Sequence, residues 1–261
     1  MASYIIRMMK ISAYLERINH ESSVGPDTQT LYDLHLAHML AVPFENLDIG
    51  LKRPIHISEQ VIWDKVIINK RGGFCYELNG LFAWLLKQIG FKITYLNARV
   101  YNQEGGLGID FDHLALLVQI PDQPERWLAD VGFGDSFNKP LPFETDVEQI
   151  QGLRSYRLEQ VTGGYVTWQR NYDGTWERLY FFDLTPHNFP DEYRAACSYH
   201  QTSSMSGFTR SSIISKAIPN GRVSLEDGRL ILTQDGKRTE RPVANDEEYR
   251  KLLKKHFDIE L

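Results

Sequence analysis

The stretch from Tyr76 to Gly90 constrains this chain more than any other. Its apolar residues fall at Leu78, Leu81, Phe82, Leu85, Leu86 and Ile89, the three- and four-residue spacing of a helix that buries one face. Gly90 supplies the stop. Beyond it the texture changes to short β-branched and aromatic runs separated by turn residues, so the first 90 residues read as helical and the next 90 or so as strands. Immediately before the helix stands Arg71-Gly72-Gly73-Phe74-Cys75, which sets one of only two cysteines at the helix N-terminus. The paired glycines let backbone approach closely and present the thiol, and the free N–H groups of the helix start favour its thiolate.

The remaining helical signals are Ile11 to Ile18, Asp27 to Met39 with Leu31, Leu34 and His35 on one side, and Ser58 to Asn69. Pro43 breaks the second of these, and Val42 to Ile49 reads as a turn-rich connection holding an aromatic residue. Six strands are expected at Phe91 to Val100, Leu114 to Ile120, Trp127 to Val131, Ser155 to Thr162, Tyr165 to Arg170 and Trp176 to Phe182. Gly163-Gly164 and Asp173-Gly174 mark hairpins, and the set suggests an antiparallel barrel or sandwich. From Asp183 the pattern is mixed: a hairpin around Glu226-Asp227-Gly228, then a charged amphipathic helix from Asp246 to Phe257. No repeat or flexible linker divides the chain, and the parts are expected to pack as one body.

Composition narrows the function. A chain of 261 residues can bury a core of its own. Its net charge of −5 argues against nucleic acid, which calls for concentrated Lys and Arg. Two cysteines do not make a disulfide framework. The N-terminus, with Arg7, Lys10 and Arg17, has no apolar run long enough for a signal core, and no run of about 20 apolar residues suggests a membrane span. A cytoplasmic, reducing setting is the expectation, and it suits a working thiol.

A cysteine nucleophile needs a base, and the base an orienting partner. His113, among eight histidines, opens the apolar run Leu114 to Val118, and Asp130 ends the next strand. If Pro121 to Glu125 forms the turn between them, the two residues nearly face one another. Cys75, His113 and Asp130 are therefore a feasible triad. The plainer readings are a core thiol, a capped core histidine and a turn-capping aspartate. A zinc site from the same three lacks a second thiol or paired histidine motif. Cys197 reads as a core residue, and His35 and His38 as helix-surface or packing residues. Gly132 and Gly134, just after Asp130, either expose N–H groups to an anion or make a tight bend.

Taken together, Arg71-Gly72-Gly73-Phe74-Cys75-Tyr76-Glu77-x-Asn79, His113 with its strand, Asp130-Val131-Gly132-Phe133-Gly134 and Val42-Pro43-Phe44-Glu45-Asn46 resemble the arylamine N-acetyltransferases, of bacterial type, along nearly the whole chain. The resemblance implies an α+β fold with a cysteine-proteinase-like Cys-His-Asp core. Residues 1–90 would form a helical bundle carrying the cysteine, 91–183 an antiparallel β-barrel carrying the histidine and aspartate, and 184–261 an interdomain segment with an α/β lid. It implies a ping-pong reaction in which acetyl-CoA, the co-substrate, acetylates Cys75 and a small aromatic amine or hydrazine then takes the acetyl group, with no metal. His113 would be the base and Asp130 its orienter. Phe44, Phe133 and Phe208 would line the acceptor pocket, and Gly132 and Gly134 would meet the CoA pyrophosphate. Asp112 stands outside the shared pattern; an acidic neighbour of His113 could favour the imidazolium or narrow the acceptor. The match is loosest in the last third of the chain. A papain- or transglutaminase-like enzyme acting on amides would share the same triad order, and a non-catalytic CoA- or aromatic-binding protein would keep the triad as a relic.

Overall fold

The computed structural model describes residues 9–261; Arg7 lies outside them. The helical layer comprises α1 (Ile11–Arg17), α2 (Thr28–Ala41), a single turn α3 (Leu47–Gly50), α4 (Glu59–Trp63), which runs on into a π-helical turn at Asp64–Ile68, and α5 (Cys75–Ile89). Asp27 caps α2 by accepting the Thr30 N–H at 2.8 Å. Gly90 ends α5 in the left-handed conformation, φ 113°, where a side chain would be strained. The expected one-sided stripe on α5 proves too narrow. Every residue from Cys75 to Leu86 is buried, because α5 lies between the other helices and the sheet.

That sheet is antiparallel and eight-stranded: β2 (Lys92–Val100), β3 (His113–Gln119), β4 (Arg126–Ala129), β5 (Leu141–Pro142), β6 (Gln149–Gln151), β7 (Arg154–Val161), β8 (Gly164–Arg170) and β9 (Trp176–Phe182), in the order β5-β4-β3-β2-β9-β8-β7-β6. It curls into a nearly closed barrel. Glutamine side chains cross the remaining gap: Gln149 donates to the Pro142 carbonyl at 2.9 Å, and Gln151 accepts from the Asn138 and Lys139 N–H groups at 3.1 and 3.0 Å. The six expected strands are present. β5 and β6 were not expected, being too short to carry a period-2 signal.

Alternation along β3 sorts its side chains. Leu114, Leu116 and Val118 join the core shared with the helices, whereas Ala115 and Leu117 face the barrel interior with Leu128, Tyr180 and Phe182. A second antiparallel sheet, β1 (Phe44–Glu45), β10 (Ile213–Ile218), β11 (Gly221–Glu226), β12 (Arg229–Gln234) and β13 (Lys237–Pro242), packs against α8 (Asp246–Phe257) through Val223, Leu225, Leu253 and Phe257. Two further helices, α6 (Arg194–Thr202) and α7 (Gly207–Arg210), connect the sheets. β1 lies in the segment expected to be a turn-rich connection. Two residues give no strand signal of their own; β1 exists because β10 offers it an edge, with Phe44 opposite Ser215.

Candidate active site

The start of α5 is fixed by a buried ion cluster. Lys65 contacts Glu77 at 2.9 Å and Asp48 at 2.8 Å, while Arg71 contacts Glu45 at 2.8 Å and Asp48 at 3.1 Å. Glu77 also accepts the Phe74 N–H at 3.1 Å, which satisfies one of the unpaired donors of the helix start. The glycines serve this packing. A Cβ on Gly72 would lie 2.0 Å from the Pro43 carbonyl oxygen, and one on Gly73 would lie 2.7 Å from Glu77. Close approach is thus real, but it admits β1 and Glu77 and does not expose the thiol: Cys75 is 3% exposed.

One turn along α5, Asn79 binds both barrel strands. Its amide donates to the Leu114 carbonyl at 2.6 Å and to Asp130 Oδ1 at 2.8 Å, and its oxygen accepts the Val131 N–H at 2.9 Å. Leu116 lies opposite Ala129. Continuing that register sets Asp130 across from Ala115, on the same inner face as His113 and within diagonal reach. His113 Nε2–H donates to Asp130 Oδ2 at 2.8 Å. Behind them His35 accepts the Asp130 N–H on Nε2 at 3.2 Å and donates from Nδ1 to the Asn138 carbonyl at 2.9 Å; these partners fix its neutral tautomer.

Cys75 and His113 share a cavity of about 450 Å³, a volume suited to a small molecule. Phe44, Phe133 and Phe208 line it, with Gly132 and Gly134 in its wall. Phe133 meets the His113 ring edge-on at 5.3 Å, and Phe44 lies 6.1 Å from Phe208. Asn46 holds the Phe208 loop through that residue's carbonyl, 3.2 Å, and that of Ser211, 2.8 Å. The site residues read from the sequence therefore converge, with Asp130 standing behind His113. Gly132 has a local reason to be glycine, since a Cβ there would lie 2.8 Å from both the Cys75 Cα and Asn79. Gly134, at φ +93°, needs its freedom for the bend.

Burial pushes the Cys75 thiol well above its ordinary range; the Leu114 backbone amide opposes this, and Asp112 and Asp130 add to it. Burial thus works against the thiolate that the helix start favours. Burial likewise pushes the Asp130 carboxyl up, but His113, Asn79 and the Gly132 N–H outweigh it and hold the group below its usual value. An anion at position 130 keeps the His113 ring oriented through the 2.8 Å hydrogen bond.

Sequence reading missed four supports: Asn79, His35, Tyr180, whose ring lies 5.2 Å from His113, and His200. Asn79 left a trace as a polar residue on the core side of an apolar helix, and His35 as one sharing its helix side with Leu31 and Leu34. Among the described residues no group of three or more His, Cys, Asp or Glu could hold a metal ion, and no helix is long and apolar enough to cross a membrane.

Fold and pocket together define an α+β protein with a thiol, an imidazole and a carboxylate gathered at the mouth of an antiparallel barrel. The chain belongs to the arylamine N-acetyltransferase family: the sequence profile of the N-acetyltransferase family matches residues 27–261, and a pineal gland arylamine N-acetyltransferase of Gallus gallus is 32% identical, covering 97% of this chain and 95% of that one. The arylamine N-acetyltransferase / N-hydroxyarylamine O-acetyltransferase of Salmonella typhimurium is 37% identical over 67% of this chain. The match spans 61% of the length of that relative and of the Escherichia coli one. The structure of Mycobacterium marinum arylamine N-acetyltransferase in complex with CoA superposes with a TM-score of 0.89 at 28% identity, covering 96% of this chain and 93% of that one.

Proposed function

We propose that this protein transfers the acetyl group of acetyl-CoA to the nitrogen of small arylamines or arylhydrazines through an acetyl-cysteine at Cys75. The observation that carries this reading is the 2.8 Å His113–Asp130 hydrogen bond at the wall of a cavity shared with Cys75, in a chain of this family. With the proton on His113, the Cys75 thiolate attacks the thioester carbonyl. A carbon–sulfur bond forms to Cys75, the bond to CoA breaks, and the departing CoA thiolate takes the proton from His113. The acceptor nitrogen then attacks the acetyl carbon, loses its proton to His113 and releases Cys75 as the thiolate. Exchange of one thioester for another is nearly thermoneutral, so the intermediate is not a trap. Asp130 keeps the imidazole in the required tautomer, and the rings of Phe44, Phe133 and Phe208 suit an aromatic acceptor. Gly132 and Gly134 line the cavity that holds Cys75, where the family resemblance puts the CoA arm. A cytoplasmic location fits a protein whose chemistry needs a reduced thiol.

Intact-mass spectrometry with acetyl-CoA and no acceptor tests the reading. One acetyl increment is expected, located on Cys75 and abolished by Cys75→Ser. A folded protein that takes up no acetyl, or one that hydrolyses peptide amides while ignoring acetyl-CoA, refutes it.

A further inference from the structure

The cavity holds a second imidazole–carboxylate pair that the reaction above does not use. His200, on α6, lies with Nε2 3.2 Å from Asp112 Oδ1 and 3.1 Å from the Asp112 carbonyl oxygen. Both partners are acceptors, so Nε2 carries a proton, while Nδ1 lies 3.2 Å from the Ser206 hydroxyl. Asp112 and His200 both line the cavity with Cys75 and His113.

The local backbone is arranged around this carboxylate. Asp112 and His113 are consecutive, and a regular strand would send them to opposite faces, yet both reach the cavity. The kink comes from Phe111, a non-glycine residue at φ +59°. Its N–H is held by Asn97 Oδ1 at 2.6 Å and its carbonyl by the Tyr76 hydroxyl at 2.6 Å. Left-handed backbone at a bulky residue is costly and persists where the surroundings enforce it, often beside functional groups. Gly108 completes the seat, since a Cβ there would lie 2.1 Å from Asp112 Oδ2. The carboxylate accepts from His200 Nε2–H and from the Val100 N–H at 3.2 Å. Among the described residues no Lys or Arg pairs with it; Arg222, in the same cavity, is bound to Asp135 at 2.9 Å. A carboxylate has about four acceptor positions, so this one retains capacity and faces the space next to Cys75.

We propose that Asp112 is a specificity-determining residue and His200 its positioning residue. The carboxylate accepts a hydrogen bond from an N–H adjacent to the attacking nitrogen of the acceptor. Hydrazines and hydrazides carry that N–H and are preferred, relative to their intrinsic reactivity, over anilines of the same ring; anilines with an ortho carboxylate are repelled. This rests on the acetyl-transfer reading above.

The test measures kcat/KM for phenylhydrazine, aniline and 2-aminobenzoate with acetyl-CoA, alongside acetyl uptake by intact mass. Intrinsic nucleophilicity is the same for every variant, so a change in the phenylhydrazine/aniline ratio isolates the protein's contribution, and a general loss of activity cancels. Asp112→Ala is expected to lower the ratio on the order of tenfold, the weight of one charge-assisted hydrogen bond, and to raise 2-aminobenzoate relative to aniline. Gly108→Ala, which displaces the carboxylate while retaining Asp112, moves both ratios the same way, as does His200→Ala, with His200→Gln restoring part of the effect. Ratios that stay within about twofold of wild type in variants that take up acetyl overturn the proposal. A wild-type protein that takes up no acetyl overturns the transfer reading and this inference with it.

Discussion

Asp130 answers to four groups. It accepts from His113 on one oxygen and from Asn79 and the Gly132 N–H on the other, and its own N–H is taken by His35. An amide at this position cannot satisfy that pattern, because one of its two ends would aim N–H at N–H. Asp130→Asn therefore has to turn the His113 ring or give up the Asn79 and Gly132 contacts. The expected result is an acetylation burst slowed by a factor on the order of 10³ or more, followed by quenched-flow mass spectrometry, with a native-like circular dichroism spectrum. An unchanged burst would remove Asp130 from the mechanism. This residue was legible in the sequence from its place at the end of a strand beside the His113 strand. His200 was not, because a contact across 88 positions leaves no periodicity or spacing to read.

Among the elements, α5 is the one whose position decides the site, and its N-terminus is pinned by charges. Three buried or nearly buried carboxylates (Glu45, Asp48, Glu77) meet two cations (Lys65, Arg71). Lys65→Met leaves the 2%-exposed Glu77 without its cation, and burial already pushes that carboxyl up. Removing one partner from a buried cluster costs about 3–5 kcal/mol, to be read as a lower urea midpoint with an unchanged m-value. A loss below about 1 kcal/mol, the range of surface pairs, would show the cluster to be solvated. The sequence displays these five residues plainly but not their meeting, since charged residues on helices and loops are usually surface residues. Helices and hairpins were legible where they carry their own signals: Gly90 at the end of α5, Asp227-Gly228 between β11 and β12, the acidic start and basic end of α8. β1, β5 and β6 were not, because each is a strand only by virtue of its neighbour.

Taken whole, the molecule carries a pH dependence in its centre. His35 is fully buried, and burial lowers its pKa from 6.5 to about 4, against the smaller opposing pull of Asn138 and Asp130; His38 is lowered too, again chiefly by burial. The unfolded chain takes up these protons near the ordinary value and the folded one refuses them, so stability falls as pH drops from about 6.5 towards 4. His35 alone accounts for about 3 kcal/mol over that window. Thermal melts between pH 7 and 4 should show the fall, and His35→Gln, though less stable at pH 7, should show a shallower one; equal slopes would contradict the assignment. The two-residue strand β1 has a consequence for biosynthesis. Phe44 and Glu45 leave the ribosome early, but their partners Ser215 and Ile214 follow roughly 170 positions later, and strand pairing over such separations closes slowly. Until then the nascent chain exposes an open edge and an unwalled cavity, so the thiol meets its finished surroundings only when synthesis is nearly done.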